Sequence, residues 1–381
     1  MNLIIHDLKE KEWEEISKDY QDWEVVSDKG TIKPCVGCFG CWNKDPGRCV
    51  MKDGYENMGY LIHHADEAVV ISRYTYGGFS SFVKNVFDRS LAYVLPHFEI
   101  INGESHHQKR YDEDKPYTFI FYGHDLSEAE KESARRYVKA VTTNMRTHVK
   151  DVIFTERADD RRPEVTKADE PSAKVVLLNA SMRCANGNSA KLARQLKSQL
   201  NRETEIIDLA KYLNRKEELL KILEESSDLV ICTPLYVDGL PSQLIALLEL
   251  FEEKYHGESK KIYVLANMGL YESRQLVNLL EAIRQWCEKM GFEYNGALGV
   301  GAGELVGGLL EMGRYRKWPL KQIAEGMDRL SQTIDQNGKT DDIYKGVPTF
   351  PRWLYVAIAN SGWKRMAEAN GLKEEDLFRQ L

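Results

Sequence analysis

Two stretches of this sequence place residue types at spacings that serve chemistry. The first is Asn179 to Ser189, NASMRCANGNS, which follows a β-branched apolar run and leads into the helical pattern AKLARQL. A helix N-terminus leaves unpaired N–H groups and a partial positive charge, so it attracts anions. Ser181, Asn188 and Ser189 add side-chain donors, Gly187 lets the backbone approach a ligand closely, and Arg183 brings a full charge. Neither the Gly-Lys-Ser/Thr of a triphosphate loop nor the G-x-G-x-x-G of a dinucleotide fold is present. The phosphate of a mononucleotide therefore fits this loop better than a triphosphate does. Read alone, Asn188 and Ser189 also serve as ordinary helix caps.

Two further loops favour the ligand reading. TPLYVDGLPSQ (Thr233 to Gln243) and NMGLYE (Asn267 to Glu272) each follow an apolar run. In a doubly wound sheet such loops emerge beside the first one at the carboxyl edge of the strands, where ligands bind. Gly269 allows close contact with a flat ring.

The second stretch is cysteine-rich: Cys35, Cys38, Cys41 and Cys49 form C-x2-C-x2-C-x7-C within PCVGCFGCW and NKDPGRCVMKD. Three cysteines at every third position can converge on one face of a 4Fe-4S cluster. Structural zinc sites more often pair two knuckles across a longer spacer. Reactive redox thiols and plain packing of small apolar side chains stand beside the cluster as readings. No metal is expected, and these four would be the ligands if a cluster were present.

The elements that position these residues repeat twice. Short apolar runs alternate with helical periodicity, the mark of a parallel sheet covered on both faces. In the second half strands are expected at Lys174 to Asn179, Thr204 to Asp208, Asp228 to Thr233, Lys261 to Asn267 and Phe292 to Val300, with helices at Ser189 to Leu200, Lys216 to Glu225, Ser242 to Lys254 and Ser273 to Met290. In the first half strands are expected at Asn2 to Ile5, Glu24 to Ser27, Ala68 to Ser72, Tyr117 to Tyr122 and Val149 to Thr155. An internal repeat aligns Ala65 to Lys84 with Ser227 to Ile245, Gly78 meeting Gly239 and Ser81 meeting Ser242, with one gap. The fold expected is thus α/β, two doubly wound five-stranded parallel sheets in tandem. The domains are 1–155, a polar linker at 156–173, 174–347, and a helical tail at 348–381.

The 381 residues are too many for one ordinary core, because domains usually run to roughly 100–200 residues. At 43% hydrophobic and 29% charged the chain is globular, and its net charge of −7 disfavours a nucleic-acid backbone as partner. No apolar run is long enough to span a membrane, and the start turns acidic too early for a signal peptide. A cytoplasmic setting is expected. The adjacent His106 and His107 read as loop residues with polar contacts, and GVGAGELVGG (Gly299 to Gly308) as a close-packed strand-to-helix turn.

The NASMR-x3-GNS loop followed by PLYVDGLPSQ resembles the NADPH-dependent FMN reductase and flavodoxin-like oxidoreductase family. The resemblance implies that Ser181, Arg183, Asn188 and Ser189 hold the FMN phosphate. It also implies that Pro234, Leu235, Tyr236, Val237 and Gly239 line the isoalloxazine ring; Asn267 and Gly269 join the expected cofactor site through the reading of the third loop. Ala180 and Met182 stand where the family has Gly and Pro, and Ile245 where it often has Lys. The cysteine run, YGGFSS (Tyr76 to Ser81), KNVFDR (Lys84 to Arg89) and HHQKRY (His106 to Tyr111) extend the resemblance over the first half.

Its beginning departs: Ile5 to Glu12 reads IHDLKEKE, with neither Gly nor Ser, and Asp7 would repel a phosphate. The first domain is therefore expected to hold no FMN. Its Tyr76, Gly77, Gly78 and Phe79 are expected to cover the flavin of the second, an internal pseudo-dimer in place of the family's homodimer, with homodimerisation also open. The activity implied is transfer of electrons from NAD(P)H through FMN to an unidentified small-molecule or protein acceptor. The alternative is a non-catalytic flavoprotein carrier, or a redox sensor using Cys35 to Cys49; a third is a domain that has lost FMN.

Overall fold

The computed structural model describes residues 1–157 and 174–381. The chain forms two compact units, Met1–Asp160 with Trp353–Leu381, and Arg161–Arg352. The linker assigned to 156–173 lies, beyond Arg157, outside the described residues. Trp353–Leu381, within the segment expected as a helical tail, groups with the first unit.

The first unit contains β1 (Asn2–His6), β2 (Trp23–Ser27), β3 (Ala68–Arg73), β4 (Val94–Ile101), β5 (Glu104–Lys109), β6 (Pro116–Gly123) and β7 (His148–Glu156). Its main sheet runs in the order β2-β1-β3-β6-β7, all pairs parallel. Leu3, Ile4 and Ile5 are consecutive and all buried, as a central strand covered on both faces requires. The remaining two strands, β4 and β5, form an antiparallel hairpin outside that sheet. His106 and His107 lie in β5 rather than in a loop. His106 Nδ1 is 2.7 Å from Asn144 Oδ1. Burial lowers the pKa of His107 to about 4, with backbone bonds to Leu95 and Pro96 acting in the opposite direction.

The second unit contains β8 (Val175–Asn179), β9 (Thr204–Asp208), β10 (Asp228–Pro234), β11 (Lys261–Asn267), β12 (Glu293–Val300) and β13 (Ile343–Lys345). The sheet order is β13-β12-β11-β10-β8-β9, again all parallel. Ranked within each unit, both sheets follow the flavodoxin-like order 2-1-3-4-5. The second sheet is six-stranded, not five. Its extra strand Ile343–Lys345 pairs with Leu298 to Val300 and is too short to carry a period. The Gly299 to Gly308 stretch passes from strand to helix as expected, with the helix Gly303–Glu311 starting inside it.

The internal repeat is visible atom by atom. Thr75 and Gly78 exchange both backbone N–H···O bonds at 3.0 Å, and Tyr236 and Gly239 do the same at 3.0 Å. Positive φ falls at the same places in both loops, Tyr76 and Gly77 in one, Val237 and Asp238 in the other. The amide of Asp7 donates to Ile71 and that of Ala180 to Cys232, which fixes Asp7 as the counterpart of Ala180. From that register the two segments run in step without a gap, Arg73 opposite Pro234 and Lys84 opposite Ile245.

Candidate functional site

Three loops leave the carboxyl ends of β8, β10 and β11, which are neighbours in the second sheet. Register sets Asn179 beside Cys232 and Pro234 beside Asn267, so the loops start level with one another. The first loop turns tightly. The amide of Ser181 donates to the Asn179 side chain at 3.2 Å, that of Arg183 to Ser181 Oγ at 3.3 Å, and that of Gly187 to Cys184 O at 3.0 Å. Asn179 Nδ2 in turn donates to Asp208 Oδ1 at 2.8 Å, anchoring the loop to the end of β9.

The helix Asn188–Lys197 then begins with Gly187 at its N-cap and no side-chain cap. The first amides of a helix have no partner within it, so this end offers donors to an anion. Gly187 is required here: a Cβ on it would stand 2.3 Å from Ser181 Oγ. Arg183 is not folded inward, since its side chain is 38% exposed and its Nη1 meets Glu304 Oε1 at 3.4 Å.

One of the expected phosphate donors is otherwise engaged. The buried Ser189 hydroxyl donates to Asn267 Oδ1 at 2.6 Å, tying the first loop's helix to the third loop. Asn188 turns toward the helix Gly303–Glu311, where a Cβ on Gly307 would stand 1.9 Å from its Oδ1. The same helix is pinned by Lys191 Nζ to Glu311 Oε1 at 2.9 Å. Sequence reasoning did not find that this helix covers the loop. Its glycines are the residues that let it lie so close, Gly303 within 2.8 Å of Met268 O by the same measure.

The second loop forms a half-buried wall. Pro234, Leu235, Tyr236 and Val237 are all half-buried, while Gly239 and Leu240 behind them are buried. Leu235 N donates to Asn267 O at 2.8 Å, holding this wall against the third loop. In that third loop Gly269 is exposed, and a Cβ there would meet no atom within 4 Å. Residue types and positions together fit a flat aromatic group on Pro234 to Val237 and Gly269, with an anionic tail at Ser181, Arg183 and the amides that open Asn188–Lys197.

The matching loop of the first unit is built differently. Asp7 is half-buried and its carboxylate accepts the Arg73 N–H, Oδ1 at 3.2 Å and Oδ2 at 3.0 Å. Burial raises its pKa, while hydrogen bonds from Ser80, Arg73 and Tyr122 oppose the rise. In the second unit the counterparts are Ala180 without a carboxylate and Pro234 without an N–H. Tyr76, Gly77, Gly78 and Phe79 are all buried. Phe79 offers no ring face, because it stacks within the first unit on Phe87, Phe119 and Phe121.

The cysteine run folds around the short helix Gly40–Asn43 in the first unit. Cys49 is buried, Cys35 and Cys41 are half-buried, Cys38 is exposed, and none forms a disulfide. Arg379 reaches Asp45 and Pro46 O, and Trp363 packs edge-on to Phe39 and Trp42, so Trp353–Leu381 clamps the run. Among the described residues no group of three or more His, Cys, Asp or Glu is arranged to hold a metal ion. Among them, too, no helix is long and apolar enough to cross a membrane.

Comparison with known proteins now bears on the second unit. Residues 173–294 match the NADPH-dependent FMN reductase family. Solved structures similar to the chain include the Trp repressor binding protein from Bacillus subtilis, 16% identical, covering 41% of this chain and 96% of that one at a TM-score of 0.32. An azoreductase from Bacillus anthracis str. Sterne is 15% identical over 43% of this chain and all (100%) of that one, TM-score 0.32. An FMN-dependent NADH-azoreductase from Bacillus anthracis str. Ames Ancestor, solved with FMN, is 13% identical over 42% and 99%, TM-score 0.33. No curated protein matches the chain. Residues 173–294, within the second unit, are thus similar to the NADPH-dependent FMN reductase family.

Proposed function

We propose that this chain is an FMN-dependent NAD(P)H oxidoreductase whose flavin sits on the second unit. The observation that carries the reading is the level start of three loops at β8, β10 and β11, fastened by Ser189 to Asn267 and by Leu235 to Asn267. Ser181, Arg183 and the first amides of Asn188–Lys197 bind the phosphate, Pro234 to Val237 support one side of the ring, and Gly269 leaves room at its edge. When bound, FMN supplies the two-electron chemistry that links a nicotinamide to an acceptor. The protein's part is to hold the ring in a walled, half-buried place where a second planar molecule can stack.

In this reading the first unit binds no FMN. The Asp7 carboxylate occupies the end of its first strand and takes the N–H of Arg73, and a phosphate dianion beside it would be repelled. The setting proposed is the cytoplasm, in keeping with four neighbouring free thiols. The visible spectrum of the purified protein tests the assignment. Yellow protein that bleaches with NADH or NADPH under nitrogen is expected; colourless protein that ignores added FMN would overturn it.

A further inference from the structure

Cys41 and Cys49 lie on backbones that fold against each other. The amide of Gly47 donates to Cys41 O at 3.1 Å, closing the turn between them. One residue away on each side, a Cβ on Gly40 would stand 2.8 Å from Val50 Cγ1. The thiols of Cys35, Cys49 and Cys38 are close enough to Cys41 that, after burial, they are what pushes its pKa further up.

Cys49 has an environment the other three lack. Arg89 Nε points at Cys49 Sγ at 3.2 Å. The rest of that guanidinium is fixed by Asp53, at 2.7 and 3.0 Å, and by Lys33 O at 2.8 Å. Arg89 is 2% exposed and Cys49 7%, so this is a sulfur held against a buried, oriented cation. A cation beside sulfur favours the thiolate, which is the nucleophile in thiol–disulfide exchange.

We propose that Cys41 and Cys49 are a reversible dithiol–disulfide site of the first unit, oxidised by low-molecular-weight disulfides. Cys49, whose sulfur is held beside the Arg89 guanidinium, first exchanges with the small disulfide, releasing one small thiol and leaving a mixed disulfide. Cys41 then attacks Cys49 Sγ, its proton passing to the departing sulfur, forming the Cys41–Cys49 bond and expelling the second small thiol. In sum, two protein thiols lose two protons and two electrons, and one small disulfide takes them up to become two thiols. Cys38, although exposed, is a bystander, and Arg89 is a positioning residue for Cys49. The site needs no flavin, so it goes beyond the function proposed above and fails or stands separately from it.

The test is equilibration of the full-length protein in glutathione buffers of graded oxidised fraction, trapping with N-ethylmaleimide, and peptide mass mapping. Cys41 and Cys49 should lose labelling together and appear as one cross-linked peptide that dithiothreitol removes. Cys38→Ser should leave that peptide unchanged, and Cys49→Ser should abolish it. Arg89→Lys should slow closure about tenfold at neutral pH and move its pH dependence upward, a shift that a packing role would not produce. A bridge between other cysteines would overturn the proposal, as would Cys49 staying fully labelled in oxidised buffer. So would a brown protein in which all four are masked by iron and sulfide. Should the serine variants fail to fold, the mapping of the unaltered protein decides alone.

Discussion

The Ser189 hydroxyl donates to Asn267 Oδ1 at 2.6 Å across the space between the first and third loops of the second unit, with both residues buried. That bond joins the start of the helix Asn188–Lys197 to the end of β11. Replacing Ser189 by Ala leaves a buried carbonyl oxygen without its donor. Losing such a partner costs about 1–3 kcal/mol. Ser189→Ala should therefore lower the urea midpoint by a corresponding amount and weaken FMN binding severalfold in a fluorescence titration.

Arg183 and Glu304 set the charge balance where the anionic tail is proposed to sit. Their 3.4 Å contact is partly exposed, so the pair itself adds little stability. Its effect on a phosphate is larger, because the carboxylate competes for the guanidinium. Glu304→Gln should tighten FMN binding a few-fold and Arg183→Ala should loosen it about tenfold, with thermal unfolding almost unmoved in both. The two changes should diverge most at low salt, where screening is weakest.

The ring wall carries a strained residue. Val237 has φ of +37°, a region that β-branched residues avoid, and its counterpart Tyr76 stands at +48°. Backbone held there costs of order 1–3 kcal/mol and marks places where geometry serves a ligand. Val237→Gly should raise stability by about 1 kcal/mol while removing side-chain contact from the wall. Higher melting temperature with weaker flavin binding is the expected pair of results. Lower stability together with unchanged binding would take Val237 out of the wall.

The ten main strands were legible because their apolar runs are β-branched and bounded by polar turns. Other elements were hidden for identifiable reasons. Ile343–Lys345 is three residues long, and the hairpin strand Glu104–Lys109 is ESHHQK, polar where a strand is expected to alternate. The extent of the helix Gly303–Glu311 was not legible, because its two adjacent glycines argue against a helix, yet Gly307 is what admits Asn188. Of the candidate site, residue types and loop positions were readable in advance. That Ser189 turns to Asn267 and Asn188 to Gly307 was not, because a side chain's partner depends on elements far along the chain.

Asp7 offers the sharpest separation of the two units. Its folded pKa is raised by burial, with the bonds from Ser80, Arg73 and Tyr122 opposing. A carboxyl whose folded pKa lies above its unfolded value of 3.8 binds protons more tightly in the native state. Stability from this group is then complete below the unfolded value and lost as pH rises through the folded one. Asp7→Asn cannot ionise yet still presents an oxygen to the Arg73 N–H. The variant should gain on the unaltered protein as pH climbs from 4 toward 7, and the gap should close in acid. Melting curves of the pair across that range decide it: a difference that is constant with pH would show that Asp7 is not held as a reluctantly ionised acid. A companion variant, Asp7→Ala with Arg73→Pro, rebuilds the Ala180 and Pro234 arrangement. If that carboxylate is what closes the first unit to phosphate, the double variant removes the repulsion, and inorganic phosphate should then protect it from heat more than it protects the unaltered protein.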